Sequence, residues 1–167
     1  MAGFLAAMPP LIEALSNQNP KIRANAASLL SGMGSAAKPA LPELPKLLAD
    51  PEPAVRLEAA RSLWKLDHQA KAALPIFLEA LQHGPRAARG TAAQLVGEIG
   101  PDAKEAVPAL VDLLKDENPD YRRVAIASLG AIGPDAKQAV PALRAALKDD
   151  ENEVRTQAAL ALKQIGP

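Results

Sequence analysis

Proline recurs at Pro9, Pro42, Pro75, Pro108 and Pro141, and arginine at Arg23, Arg56, Arg89, Arg122 and Arg155, every step being 33 residues with no insertion. A strict period of this length is the most restrictive feature of the chain. A unit of 33 residues holds one supersecondary element that cannot bury its apolar face alone, so it must stack on its neighbours in an array. Two further columns keep the same register: Lys38, Lys71, Lys104 and Lys137, and the apolar set Met33, Leu66, Ile99, Ile132 and Ile165. Residues 3–167 thus divide into five units, 3–35, 36–68, 69–101, 102–134 and 135–167, expected to form a single domain over 1–167. Met1 and Ala2 are left over and read as a start scar. Because the chain opens and closes on unit boundaries, it is expected to be either a compact five-repeat protein or a segment of a longer array.

The apolar content, 49% of residues, is Ala, Leu, Ile and Val, with one Trp, one Tyr and two Phe. Such a mixture favours closely packed helices over a sheet sandwich. In the fourth unit Asp102 and Glu105 have the spacing of a capping box, and Ala106, Leu110, Leu113 and Leu114 follow as one apolar face. The spacing predicts a first helix ending near Lys115, with Pro108 inside it as a kink repeated in every unit. Asn118 and Pro119, an N-cap and N1 pair, open a second helix that runs through Tyr121, Ala125, Leu129 and Ile132 to the stop at Gly133-Pro134. The small-residue column Ala26, Ala59, Ala92, Ala125 and Ala158 lets neighbouring helices approach closely.

Four of the five units also carry an Asp or Asn followed six residues later by arginine: Asn17 and Arg23, Asp50 and Arg56, Asp116 and Arg122, Asp149 and Arg155. With the kinking proline, this pattern resembles the HEAT repeat family, in particular the short bacterial HEAT-like repeats of phycobilin-lyase relatives, over essentially the whole chain. The resemblance implies an all-α fold, a right-handed α-solenoid (superhelix) of five two-helix HEAT-like repeats. It also implies a structural ladder between adjacent units for Asp50, Arg56, Asp116, Arg122, Asp149 and Arg155, and a concave surface lined by the second helices. The third unit departs, with His83 before Arg89, which predicts an altered joint there.

Function is sought where a unit breaks its own column with a residue that stacking does not need. Trp64 stands in the column Ser31, Trp64, Gly97, Gly130, Lys163, and Leu57 and Arg61 share its helical stripe. The expected contact set for a partner is Leu57, Arg61, Trp64, Gln94 and Glu98, since Trp and Arg are enriched at hot spots; alternatively Trp64 fills the space over Gly97. The third-unit turn, Gln82 to Gly90, has two arginines and no acid, so it could accept an anionic group or be a variable loop in which Gly90 weakens a helix. Tyr121 replaces Ile22, Val55 and Val154 in a core column and reads as packing. Phe4, Leu5 and the final helix around Leu162 and Ile165 are candidates for end-to-end self-association.

Lysine plus arginine equals aspartate plus glutamate at 19 each, with no continuous basic track, which disfavours nucleic acid and anionic membrane as partners. Cysteine is absent, excluding disulfides and thiolate metal sites. The two histidines, His68 and His83, lie in different units outside any HExxH or His-Glu pair, unlike the iron-binding HEAT-like hydroxylases, and no nucleophile elbow or phosphate loop occurs. No cofactor is expected. The start lacks a signal peptide, so a cytoplasmic protein is expected. The leading expectation is a non-enzymatic scaffold that presents its second-helix surface to a protein or peptide, as a monomer or with weak end-to-end association. The alternatives are a structural spacer of a larger array and a phycobilin-lyase-related protein; a DNA-binding solenoid ranks last. The units differ enough from one another to read as a natural array.

Overall fold

The computed structural model describes the backbone of residues 2–166 and the side chains from Met8 to Gly166. The side chains of Phe4 and Leu5 therefore lie outside the described residues. Among the described residues every regular element is helical: α1 (Ala2–Ala14), α2 (Pro20–Gly32), α3 (Pro53–Asp67), α4 (Ala70–His83), α5 (Arg86–Ile99), α6 (Val107–Leu113), α7 (Pro119–Ile132), α8 (Val140–Ala146) and α9 (Asn152–Ile165). The second helices α2, α3, α5, α7 and α9 start one period apart. The chain divides into two compact units, Met1–Ile76 and Phe77–Pro167, with the division falling inside α4.

Second helices form as their sequence signals dictate. In α7 the Asn118 side chain accepts from the Asp120 amide at 2.9 Å, Pro119 occupies the first turn, and Gly133 closes the helix at φ 74°. Asn19 caps α2 in the same way through Lys21. The α3 terminus uses His68 in the left-handed conformation, φ 50°, where the other repeats use glycine.

In the second, fourth and fifth repeats the first half departs from the sequence expectation. Residues 100–106 and 133–139 are 3₁₀ turns, with non-helical Ala103 and Ala136 inside them, and the α-helix proper begins only at Val107 and Val140. Pro108 and Pro141 thus sit in the first turn of α6 and α8, where the missing N–H costs nothing, rather than at a kink within a helix. No side-chain cap bond forms at Asp102 or Asp135, so the capping-box spacing carries no box. In the second repeat Pro42 lies between two 3₁₀ segments, Gly34–Ala40 and Leu44–Ala49. Among the described α-helices, α1 and α4 are the two with proline in their interior, at Pro9, Pro10 and Pro75.

In the first unit α2 packs along α3 around fully buried Leu15, Leu30, Leu44, Val55 and Leu63. The second unit stacks α5, α7 and α9 side by side over Phe77, Leu81, Leu110, Leu113, Ile126, Leu129, Ile132 and Leu143. Each such side chain contributes roughly 1.5–3 kcal/mol of transfer free energy. The alanine column is buried throughout, at most 3% exposed. Its close approach is used by serines one repeat on. The Ser62 hydroxyl lies 2.6 Å from the Ala27 carbonyl and 2.8 Å from its own Glu58 carbonyl; Ser128 sits likewise at 2.7 Å from Ala93 and 2.9 Å from Val124. One hydroxyl proton serves two carbonyls on successive helices, which satisfies both buried serines.

Candidate functional site

The predicted contact residues divide between the two units. On α3 Leu57 is 7% exposed and belongs to the core, which removes it from the accessible contact set: packing inside the solenoid encloses it. Arg61 is half-buried and bonds Glu58 at 3.3 Å, and Trp64, also half-buried, meets the His68 ring edge-on with centroids 4.9 Å apart. On α5 Gln94 and Glu98 are exposed and bonded to each other at 3.3 Å. The space that Gly97 leaves is taken by Ser128, whose Oγ and Cα would lie 2.7 and 3.0 Å from an added Cβ. The glycine therefore serves the α5–α7 contact.

The groove between α7 and α9 escaped the sequence reading. It is lined by Arg123, Val124, Ala127, Glu153, Thr156 and Gln157 and encloses about 380 Å³. Arg123 bridges Asp120 at 3.2 Å and Glu153, pairing charges of two repeats beside an apolar floor of Val124 and Ala127. The only sequence signal was Arg123 itself, a cation in the column Ala24, Leu57, Gly90, Arg123, Thr156. At the end of the array Lys137, Val140, Arg144, Leu162, Lys163 and Gly166 line a cavity of about 530 Å³. Leu162 is half-buried, whereas its column mates Leu30, Leu63, Val96 and Leu129 are fully enclosed; Ile165, the other residue named for end-to-end association, is 1% exposed.

The charged columns meet at the interhelical turns. Arg23 holds Asp50 with a two-bonded fork (Nε–Oδ2 2.7 Å, Nη2–Oδ1 2.8 Å), and Arg122 holds Asp149 likewise at 2.8 Å through both nitrogens. Each fork joins one repeat to the next. Arg23, Arg56, Arg122 and Arg155 also donate Nη1 to two carbonyls of their own turn, at 2.6–3.1 Å. Asp50, Asp116 and Asp149 accept the amide two residues ahead, closing the turn that starts the second helix. The arginine fork, above all its hydrogen bonds, holds the Asp50 and Asp149 carboxyls below the usual aspartate range.

In the third repeat the pattern changes. Asp116 is held by Arg86 at 3.2 Å, and Arg86 lies 5.9 Å over the Tyr121 ring. That ring packs where a Gly90 Cβ would stand, its Cδ1 2.7 Å away, so Gly90 is a packing requirement and Tyr121 is half-buried. Among the described residues no group of three His, Cys, Asp or Glu could hold a metal ion, and no helix is long and apolar enough to cross a membrane.

The HEAT repeats profile matches residues 8–94 and again 74–163. The chain belongs to the HEAT repeat family. This HEAT chain has no significant match among curated protein sequences. Among solved structures it is similar to the complex of CpcE and CpcF of phycocyanin lyase from Nostoc sp. PCC7120 (26% identity, 94% of this chain and 98% of that one, TM-score 0.61). An engineered protein matches at 26% identity, 95% and 81% coverage and TM-score 0.73. A designed armadillo repeat protein in complex with the peptide (KR)4 matches at 19% identity, 96% and 82% coverage and TM-score 0.78, a likeness of fold alone. The fold is thus an all-α HEAT and armadillo-type solenoid, an architecture typical of protein-interaction scaffolds.

Proposed function

We propose that the chain is a non-enzymatic scaffold that presents the second-helix surfaces of its HEAT repeats to a protein or peptide. The observation that carries this reading is the groove along α7 and α9, where Val124 and Ala127 form an apolar floor flanked by the Arg123–Glu153 pair. A floor of small side chains admits an extended segment, and flanking charges set its register. On α3, Arg61 and Trp64 offer hot-spot residue types in the first unit. The Nostoc relative is itself part of a two-protein complex, which supports a protein as the class of partner.

A random-peptide display selection tests the proposal. Enriched peptides are expected to lose binding when exposed Ala127 is changed to Arg, which fills the groove and leaves the core untouched. Peptides that bind Ala127→Arg, Trp64→Ala and the native chain equally would sink it. The lyase likeness supports a second reading, binding of a bilin. Titration with phycocyanobilin should then give a saturable change in the absorption spectrum, and a flat titration removes that reading.

A further inference from the structure

Arg89 occupies the ladder column, yet it is the arginine of that column whose side chain makes no hydrogen bond or ion pair among the described residues. Three substitutions in one turn account for this. His83 replaces the Asp or Asn of the other turns, so no carboxylate or amide closes the turn, and α4 stays helical through His83. The grip on two turn carbonyls that the other four arginines share is correspondingly missing from Arg89. Arg86 replaces the first-turn proline of α2, α3 and α7 and takes Asp116, the carboxylate 27 positions beyond Arg89, the same separation as Arg23 to Asp50 and Arg122 to Asp149. Gly90 admits the Tyr121 ring, on which Arg86 rests.

The consequence is a guanidinium with five unused donors. Arg89 Nε is enclosed and unpaired, and it is the sole described side-chain nitrogen or oxygen in that state. Nη1 and Nη2, which also lack partners, are therefore open to solvent. A planar fork of exposed Nη groups matches a carboxylate in two parallel hydrogen bonds, and its half-buried setting strengthens them relative to a bond in open water. The neighbouring acids Asp116, 5% exposed, and Glu117 are both engaged by Arg86, at 3.2 and 3.6 Å.

We propose that the turn between α4 and α5 is a carboxylate-binding site in which Arg89, released from the ladder by Arg86, receives an acidic side chain of a partner peptide. The site goes beyond the α7–α9 groove and does not depend on it. Fluorescence anisotropy with a fluorescein-labelled, C-terminally amidated hexaglutamate peptide at low ionic strength tests it. Binding is expected to weaken at least tenfold in Arg89→Gln and several-fold in Arg89→Lys, which keeps the charge and loses the fork, and to change less than twofold in Lys148→Gln. It should also weaken in Arg86→Ala, because Arg89 can then fall onto Asp116. Circular dichroism melts confirm that each variant is folded. Binding equal in Arg89→Gln and the native chain, undiminished binding in Arg86→Ala, or no binding by the native chain would overturn the assignment. Ala127→Arg should leave hexaglutamate binding intact, which separates failure here from failure of the groove.

Discussion

At the scale of single residues, two glycines make opposite demands. Gly32, near the end of α2, has nothing within 4 Å of the place a Cβ would occupy, so Gly32→Ala is expected to stabilise the chain by about 0.5–1 kcal/mol through helix propensity. Gly97→Ala gains the same propensity but drives a methyl to 3.0 Å from the Ser128 Cα, a backbone atom that cannot swing aside. Overpacking of this kind costs about 1–3 kcal/mol, so the net change is a loss. Urea denaturation of both variants checks the contrast, and a Gly97→Ala protein as stable as Gly32→Ala would remove the close-approach argument. The forks have a pH signature. Asp50 and Asp149 have folded pKa values depressed by Arg23 and Arg122. Their contribution is therefore complete above the ordinary aspartate pKa of about 3.9 and disappears as pH falls through the depressed folded values. Asp149→Asn is expected to lower stability near pH 7 and to narrow its gap to the native chain as acid protonates Asp149, measured as melting temperature against pH. A gap that stays constant down to acid unfolding would place the stabilisation elsewhere.

At the scale of the element, the second helices were legible because their signals are local: Asn118 caps, Pro119 starts and Gly133 ends α7, all within its 14 residues and the two that flank them. The first helices of the second, fourth and fifth repeats were not, because proline at a fixed step is compatible with two positions, inside a helix as in α1 and α4 or in its first turn. The tie is broken by backbone bonding in the preceding 3₁₀ turn, which no side chain announces. The contact set failed at Leu57 for a related reason. A helical stripe says which residues share a face, but which stripe the packing covers depends on the stacking angle, and Leu57 falls on the covered side. Conversely the α7–α9 groove arises from residues small enough to pass unnoticed, Val124 and Ala127. The altered third-repeat turn was visible as His83, but its outcome is set by the packing of two repeats, since Arg86 rather than Arg89 holds Asp116.

At the scale of the whole molecule, the stability of a repeat array is a sum of repeat terms and nearest-neighbour terms. Within each unit the neighbour terms are strong: a buried serine bond at Ser62 or Ser128 and a two-bonded fork at Arg23–Asp50 or Arg122–Asp149. The division between the units falls at Ile76–Phe77, in the middle of α4. Severing a 14-residue helix at its midpoint forfeits several backbone bonds and leaves two fragments too short to persist alone. Melting of either unit should therefore unravel α4, including the half that belongs to the other unit. We accordingly expect the five repeats to unfold in one transition, with calorimetric and van't Hoff enthalpies equal. Replacing Phe77, fully buried at the division, by Ala should lower the single midpoint and not split it. Two resolved transitions in the native chain would show instead that each unit folds on its own, and that α4 is a connector whose halves are held separately by their own repeats.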